Sequence, residues 1–137
     1  MVCWVRGLLD SQGRVGENPY PKSIMGEHTD KSADLLQGTL ELLILRTLAS
    51  GEKHGYEIAD WIHVASAEAL SVEEGALYPA LHRLELRGLL TAAWAISANN
   101  RRAKYYRLTP AGRNRLKDTT ESWRRASTAI NRVLEAL

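Results

Sequence analysis

The sequence has almost no cysteine and no long apolar run. Cys3 is the only cysteine among 137 residues, so an internal disulfide and a multi-cysteine metal site are excluded. No apolar run approaches the roughly 18 residues that a membrane span needs. Arg6 interrupts the first residues, and no small-residue cleavage pattern follows, so we expect no signal peptide. These absences favour a cytoplasmic protein with no membrane partner.

The composition is that of one globular domain. Apolar residues make up 45% of the chain and charged residues 25%, which are ordinary values for a folded domain of this length. Residues 1–31 are rich in glycine and proline and show no sustained period, so they are interpreted as a flexible leader. Met25 is the expected biological start, with residues 1–24 as an upstream extension.

Acidic residues are scarce in one block of the second half of the chain. Between Gly75 and Lys117 there are nine Lys or Arg residues and one acid, Glu85, which gives this block a charge of +8 in a chain of net charge +2. On charge alone, a solvated surface and a polyanion partner both remain open.

Helical periodicity predicts three helices in the first part of the fold. Residues 35–49 are apolar nearly all round and stop before Gly51, and residues 55–65 repeat apolar positions at helical spacing. A capping box at Ser71–Glu74 predicts the start of the third helix. Pro79 predicts a bend in its early turns. Its core stripe is predicted at Leu77, Leu81, Leu84 and Gly88, its outer face at Gly75, Pro79, His82 and Leu86, and its flanks at Tyr78 and Arg83.

A period of two then predicts a β-hairpin. Apolar residues alternate over residues 90–96 and again over 104–108, around a polar tip at 97–102. Thr109 and Pro110 form a preferred helix start, and the last helix can run about 25 residues, or roughly 38 Å. Its heptad seam either folds back on its own core or pairs with a second subunit, which is the preferred interpretation. The seam consists of Leu116, Thr120, Trp123, Ser127, Ile130, Leu134 and Leu137.

This order of elements is a mainly α fold with a small β-hairpin, a winged helix-turn-helix followed by a long dimerisation helix. The expected domains are residues 32–108 for DNA binding and 109–137 for dimerisation. The third helix suits the major groove of double-stranded DNA, and the basic tip would reach phosphates beside it.

The motifs themselves resemble the PadR family of bacterial transcriptional regulators. They are LQGTL at 36–40, HGYEI at 54–58, EGALYPALHRLE at 74–85, GLL at 88–90 and NRRAKYYRLTPAG at 100–112. The resemblance covers residues 32–137. With its single compact C-terminal helix, the chain is similar to the shorter-tailed PadR subfamily. It implies a homodimer, usually a repressor, that binds a palindromic operator.

The resemblance also implies roles for individual residues. Tyr56 would contact a phosphate or act as a half-buried aromatic staple, and Tyr78 would contact DNA or pack against the hairpin. Arg83 would contact guanine or a phosphate, and Leu86 would pack under the wing or touch a thymine methyl group. The full set expected to bind DNA is Tyr56, Ser71, Gly75, Tyr78, Pro79, His82, Arg83, Asn100, Arg101, Arg102, Lys104 and Tyr105.

The family commonly places aromatic ligands between subunits, which implies a small aromatic or hydrophobic effector. Trp123 is the expected lining residue, with Ile130 and Leu43 nearby by pattern, although a seam tryptophan is more often simply interface core. Leu36 and Leu40 are expected to join the seam residues in the dimer interface.

Other functions have less support in the sequence. The four histidines show no metal-ligand spacing, and no nucleophile with a base or phosphate-binding loop is present, so we expect no enzyme, metal or cofactor. The competing function is a winged-helix module that docks on a protein. Such a module would be expected to carry apolar or mixed residues at its tip, whereas this tip is Asn99-Asn100-Arg101-Arg102.

Overall fold

The computed structural model describes the backbone of residues 29–136 and the side chains of residues 39–136. Met25, most of the predicted leader, the Leu36 side chain and Leu137 lie outside the described residues. Of the described helices, none combines the length and the apolar character needed to cross a membrane.

Within residues 29–136, four helices and a small antiparallel sheet make up the fold, which confirms the mainly α winged-helix prediction. The first helix begins at Thr29, earlier than predicted and within the last residues assigned to the leader. The elements are α1 (Thr29–Ala49), β1 (Lys53–His54), α2 (Gly55–Ala65), α3 (Glu74–Leu86), β2 (Leu90–Ile96), β3 (Arg102–Leu108) and α4 (Pro110–Glu135).

The sheet contains one strand more than the predicted hairpin. The strand order is β1-β3-β2, and β2 pairs with β3 from Leu90 opposite Leu108 to Ile96 opposite Arg102. β1 is only two residues long and lies opposite Tyr105 and Tyr106. So short a strand leaves no period in the sequence, which is why the pattern did not predict it.

The core lies between α1, α2, α3 and the root of the hairpin. Leu77, Leu81 and Leu84 of α3 are fully buried, as the predicted stripe requires. They pack in one cluster with residues of the other elements. At about 25 cal/mol per Å² of buried apolar area, this cluster is the main favourable term that holds α3 in place. The other largest fully buried apolar side chains are Ile44, Leu45, Leu48, Ile58, Val72 and Leu90.

The capping box of this fold lies at the start of α2 and not at the start of α3. The His54 ring accepts the Glu57 N–H at 3.4 Å, and the Glu57 carboxylate accepts the His54 N–H at 3.1 Å. Each residue therefore satisfies an amide of the other that the helix leaves without a carbonyl.

The predicted capping box at Ser71–Glu74 is wrong. α3 begins at Glu74, and among the described residues its N-cap, Glu73, makes no side-chain cap hydrogen bond. Val72 and Leu77 have the spacing of a hydrophobic staple, and both are buried in the core. Val72 is thus anchored in the core just before Glu73, whose backbone is extended, and the helix begins beyond Ser71.

The prediction that Gly88 belongs to the core stripe of α3 is also wrong. α3 ends at Leu86, and Gly88 is an exposed turn residue with φ of +75°. A residue with a side chain is strained in this left-handed conformation. Gly88 therefore ends the helix and does not contribute to its buried face.

α4 begins as predicted. The Thr109 hydroxyl accepts the Gly112 N–H at 3.0 Å and donates to the Gly88 carbonyl at 2.8 Å, and Pro110 occupies the first helical turn. Gly112 is buried in this turn, and a Cβ added to it would collide with the Leu89 carbonyl oxygen. The first turn of α4 thus packs closely against Leu89, the residue before β2.

Gly112→Ala is expected to lower the free energy of unfolding by about 1–3 kcal/mol, because a backbone oxygen cannot move aside as a flexible side chain can. Denaturant unfolding followed by circular dichroism measures the change. Gly75→Ala is the matched control, since a Cβ there meets open space and alanine in a helix is favoured over glycine by roughly 0.5–1 kcal/mol. Equal stabilities of the two variants would contradict the close approach at Gly112.

Candidate nucleic-acid interface

The outer face of α3 is open to solvent along its length. The predicted outer-face residues Gly75, Pro79, His82 and Leu86 are all exposed, and so is the flanking Arg83. The opposite side is anchored in the core. A helix fixed on one side and open on the other has the shape that enters a major groove about 12 Å wide.

The tip of the β2–β3 hairpin is closed by its own hydrogen bonds. The Ser97 N–H donates to the Arg101 carbonyl at 2.7 Å, and the Asn100 N–H donates to the Ser97 carbonyl at 2.9 Å. Asn100 adopts a left-handed φ of 57°, which asparagine tolerates better than most residues. The exposed Arg101 and Arg102 are therefore presented on an ordered turn.

Lys104 lies below this tip, at the junction with α3. Its Nζ is 3.3 Å from Glu85 Oε1 of α3 and 5.5 Å from the centre of the Tyr106 ring. Both charged side chains of the ion pair are about two-thirds buried. Lys104 thus joins the hairpin to α3 through an ion pair with Glu85. The sequence predicted that it contacts DNA.

Glu41 of α1 holds two arginines of the α3 region. Its carboxylate lies 2.9 Å from Arg87 Nη1 and 3.6 Å from Arg83 Nε. All three side chains are partly exposed, so the pairs contribute little to stability. Glu41 therefore places a carboxylate beside Arg83 at the edge of the outer face, where it would compete with a duplex for the guanidinium.

The remaining residues predicted to bind DNA are partly buried. Tyr78 lies in the core, which corresponds to the packing alternative for this residue. Tyr56 and Tyr105 are half-buried, and the Tyr105 ring meets the His54 ring edge-on at 5.3 Å. Ser71 is half-buried in the segment before α3. Because these side chains are wholly or partly buried, they offer less surface to a duplex than the exposed residues of α3 and the wing do.

Burial lowers the pKa of His54 below its ordinary value of 6.5, and attraction to Glu57 opposes this shift only in part. Because the ring must accept a hydrogen bond in the capping box, the neutral form is the one that stabilises α2. The unfolded chain therefore takes up a proton before the folded chain does as the pH falls.

The free energy of unfolding is expected to fall as the pH drops below 6.5 and through the lowered pKa of His54. Above 6.5 the contribution of the neutral ring is complete. His54→Asn retains a capping acceptor and removes the titration, so this variant should lose that component of the pH dependence. Denaturant melts between about pH 7.5 and about pH 5 measure it. Identical profiles for wild type and variant would contradict the assignment.

The seam residues of α4 divide into two groups. Leu116 and Thr120 are partly buried near α1, whereas Trp123 is 45% exposed and Ile130 is 55% exposed. Leu134 farther along is more exposed still, and Ser127 is intermediate. The first turns therefore fold back on the core of the same chain, whereas Trp123, Ile130 and Leu134 are exposed.

Leu40, predicted at the dimer interface, lies instead in the core of its own chain. Because α1 is covered on several sides by α2, α3 and α4, the burial of Leu40 needs no second copy.

A cleft of about 620 Å³ opens between α1, α3 and α4. Trp123 lines it, as predicted for an effector site. Ile130 and Leu43, predicted beside it, are not among the described residues that line this cleft. The recognition side of the molecule contributes Gly75, Pro79 and Arg83, and the other polar lining includes Glu41, Arg115 and Thr119.

Comparison with protein families identifies this arrangement. The sequence model of the transcriptional regulator PadR-like family matches residues 44–118. The chain belongs to this family. Its winged-helix fold, the exposed α3 and the basic wing are thus those of a PadR-family DNA-binding transcriptional regulator.

Solved and curated relatives agree with the PadR assignment. A transcriptional regulator from Clostridium thermocellum is 33% identical with a TM-score of 0.65, over 72% of this chain and 96% of that one. A PadR-like transcriptional regulator from Bacillus cereus is 30% identical with a TM-score of 0.64, over 74% and 97% of the two chains. The transcriptional regulator Rv3488 of Mycobacterium tuberculosis is 38% identical over 56% of this chain and 68% of its own length.

Arg83→Ala is expected to weaken binding by about 1–3 kcal/mol, selectively on the true operator, if the guanidinium of this PadR-family protein reads a guanine. Fluorescence anisotropy on operator and random duplexes measures both losses. Glu41→Gln is the companion variant: it removes a competing carboxylate and should tighten binding. An equal loss on random DNA would assign Arg83 to the phosphate backbone, and an unchanged affinity would remove it from the interface.

Proposed function

We propose that the protein is a homodimeric repressor that binds a palindromic operator in double-stranded DNA and is released by a small aromatic or hydrophobic effector. In this proposal residues 32–108 bind DNA and residues 109–137 form the dimer. The observation that carries it is the exposed outer face of α3 together with a wing tip bearing Arg101 and Arg102.

Charge supports DNA as the partner. Arg83 lies at the edge of the outer face of α3, and Arg101 and Arg102 lie at the wing tip. The proposed recognition helix therefore has cationic side chains on two sides. Cations that neutralise phosphates release counterions from the duplex, which makes the affinity fall steeply with salt. Under this proposal each subunit contacts one half-site.

The outward seam of α4 supports a homodimer. Trp123, Ile130 and Leu134 follow one another at heptad spacing and are all at least 45% exposed in the single chain. Large apolar side chains aligned along one helix face favour association with another helix. A second copy, with the same seam related by a two-fold axis, would cover them.

The cleft lined by Trp123 supports an effector site. Its volume of about 620 Å³ lies within the range of about 300–1,000 Å³ usual for small-molecule sites. It contacts both α3 and α4, so a ligand there would touch the recognition helix and the dimerisation helix together. Release of DNA requires that the ligand bind one arrangement of the subunits better than the other.

Selection of DNA fragments tests the proposal. Purified protein is mixed with sheared genomic DNA from the source organism, and the retained fragments are sequenced and then used in mobility shifts. We expect one or a few upstream regions with inverted repeats to be enriched. Retention of random sequence alone would leave a nonspecific DNA binder, and retention of none would overturn the proposal in favour of a protein-docking module.

A further inference from the structure

The face of the hairpin that packs on the core continues beyond the core toward the wing tip. β2 begins at the buried Leu90 and ends in Trp94 and Ile96, which are 39% and 65% exposed. Trp94 lies opposite Lys104, and Ile96 lies opposite Arg102. Since alternate residues of a strand and directly paired residues share a face, all of these side chains lie on the face that begins at Leu90.

This face is also the one turned toward α3. The Lys104–Glu85 ion pair at 3.3 Å joins the hairpin to the helix at the level of Trp94. Trp94 and Ile96, which we call the apolar strip, therefore lie on the hairpin beside the recognition helix. Leu86, the next residue of α3, is 73% exposed and belongs to the outer face of the helix.

The rim of the apolar strip is cationic. The Arg102 guanidinium lies 4.6 Å from the centre of the Trp94 ring, and such stacking holds an arginine while its N–H groups stay available. Arg101 follows at the tip. The occupant of this surface must therefore combine negative charge at its edge with apolar surface inside it.

We propose that the apolar strip packs against the deoxyribose and base edges of the minor groove beside the operator half-site, while Arg102 contacts the flanking phosphate. A minor groove has this combination of charge and apolar surface, and apolar wedges between base steps are a known means of bending a duplex. The proposal rests on the proposed DNA-binding function and adds a contact that carries no charge.

Continuity with the α3 face argues for DNA and against a protein partner. The strip is joined to α3 by Lys104 and Glu85, so a duplex seated on α3 would lie over it.

The test compares Ile96→Thr and Trp94→Ala with wild type on a fluorescein-labelled duplex of the selected operator. Threonine retains the branched Cβ that suits a strand, so the wing should stay folded. Val64→Thr is the matched control, because Val64 is an equally exposed apolar residue on α2. Affinity is measured against salt concentration, and the DNA bend by energy transfer between dyes at the duplex ends.

Ile96→Thr should bind about tenfold more weakly, equivalent to about 1.4 kcal/mol, with an unchanged salt slope and a smaller bend. Trp94→Ala should lose at least as much affinity, because it also removes the ring on which Arg102 stacks. The control should match wild type. Unchanged affinity, as expected if the strip serves a protein partner, would overturn the inference, and so would a flatter salt slope for Ile96→Thr. If wild-type protein binds no duplex at all, it is the proposed function that fails, and the two failures are thereby distinguished.

Discussion

Trp123→Glu is expected to convert the proposed dimer into monomers and to abolish tight operator binding. Trp123 occupies the middle of the α4 seam and is 45% exposed in one chain, so a second copy would bury it. A carboxylate buried without a partner costs on the order of 3–5 kcal/mol, which raises the dimer dissociation constant more than about 100-fold. The two-fold axis would also bring two such charges together.

Sedimentation equilibrium measures the mass, and a mobility shift measures operator binding by the same protein. Thr128→Glu is the matched control, because it adds the same charge to the same helix on the face opposite the seam, where Thr128 is exposed. That variant should remain dimeric. A tight dimer in Trp123→Glu would contradict the assignment of this seam.

Replacing Arg101 and Arg102 together by alanine is expected to weaken binding to every duplex alike. Each arginine that contacts a phosphate contributes a charge-assisted hydrogen bond, so the loss should be about tenfold per residue. The slope of log affinity against log salt should flatten by up to about two units, since two fewer counterions are released.

The control for this pair is Arg124→Ala with Arg125→Ala, which removes two adjacent exposed arginines from α4. Its salt slope should remain that of wild type. If the wing variant keeps the wild-type slope, phosphate contact by the wing tip is refuted. If both double variants flatten the slope equally, the effect belongs to the net charge of the chain and not to the wing.

Much of the fold follows from short-range signals. α2 spans residues 55–65 as predicted, because its apolar residues repeat at helical spacing. The start of α4 follows from Thr109 and Pro110, whose capping and fixed φ act within one turn. The exposed residues of α3 also follow from helical period once Leu77, Leu81 and Leu84 are placed in the core.

The errors arise where distant residues decide the outcome. Ser71 has the spacing of a cap, but burial of Val72 sets the start of α3. The sequence left both DNA contact and packing open for Tyr78, and its burial depends on the elements packed around it. The sequence did not predict the ion pairs of Glu41, because its partners lie more than 40 residues away. The alternation of β2 also did not predict that the core ends before Trp94 and Ile96, which are exposed.

A hydroxyl-radical footprint on the selected operator tests the central claim most directly. If two α3 helices of one dimer enter successive major grooves, two protected segments should lie on one face of the duplex, with centres about 10–10.5 base pairs apart or a multiple of it. Uniform cleavage along the fragment, or a single protected segment at saturating protein, would contradict the account.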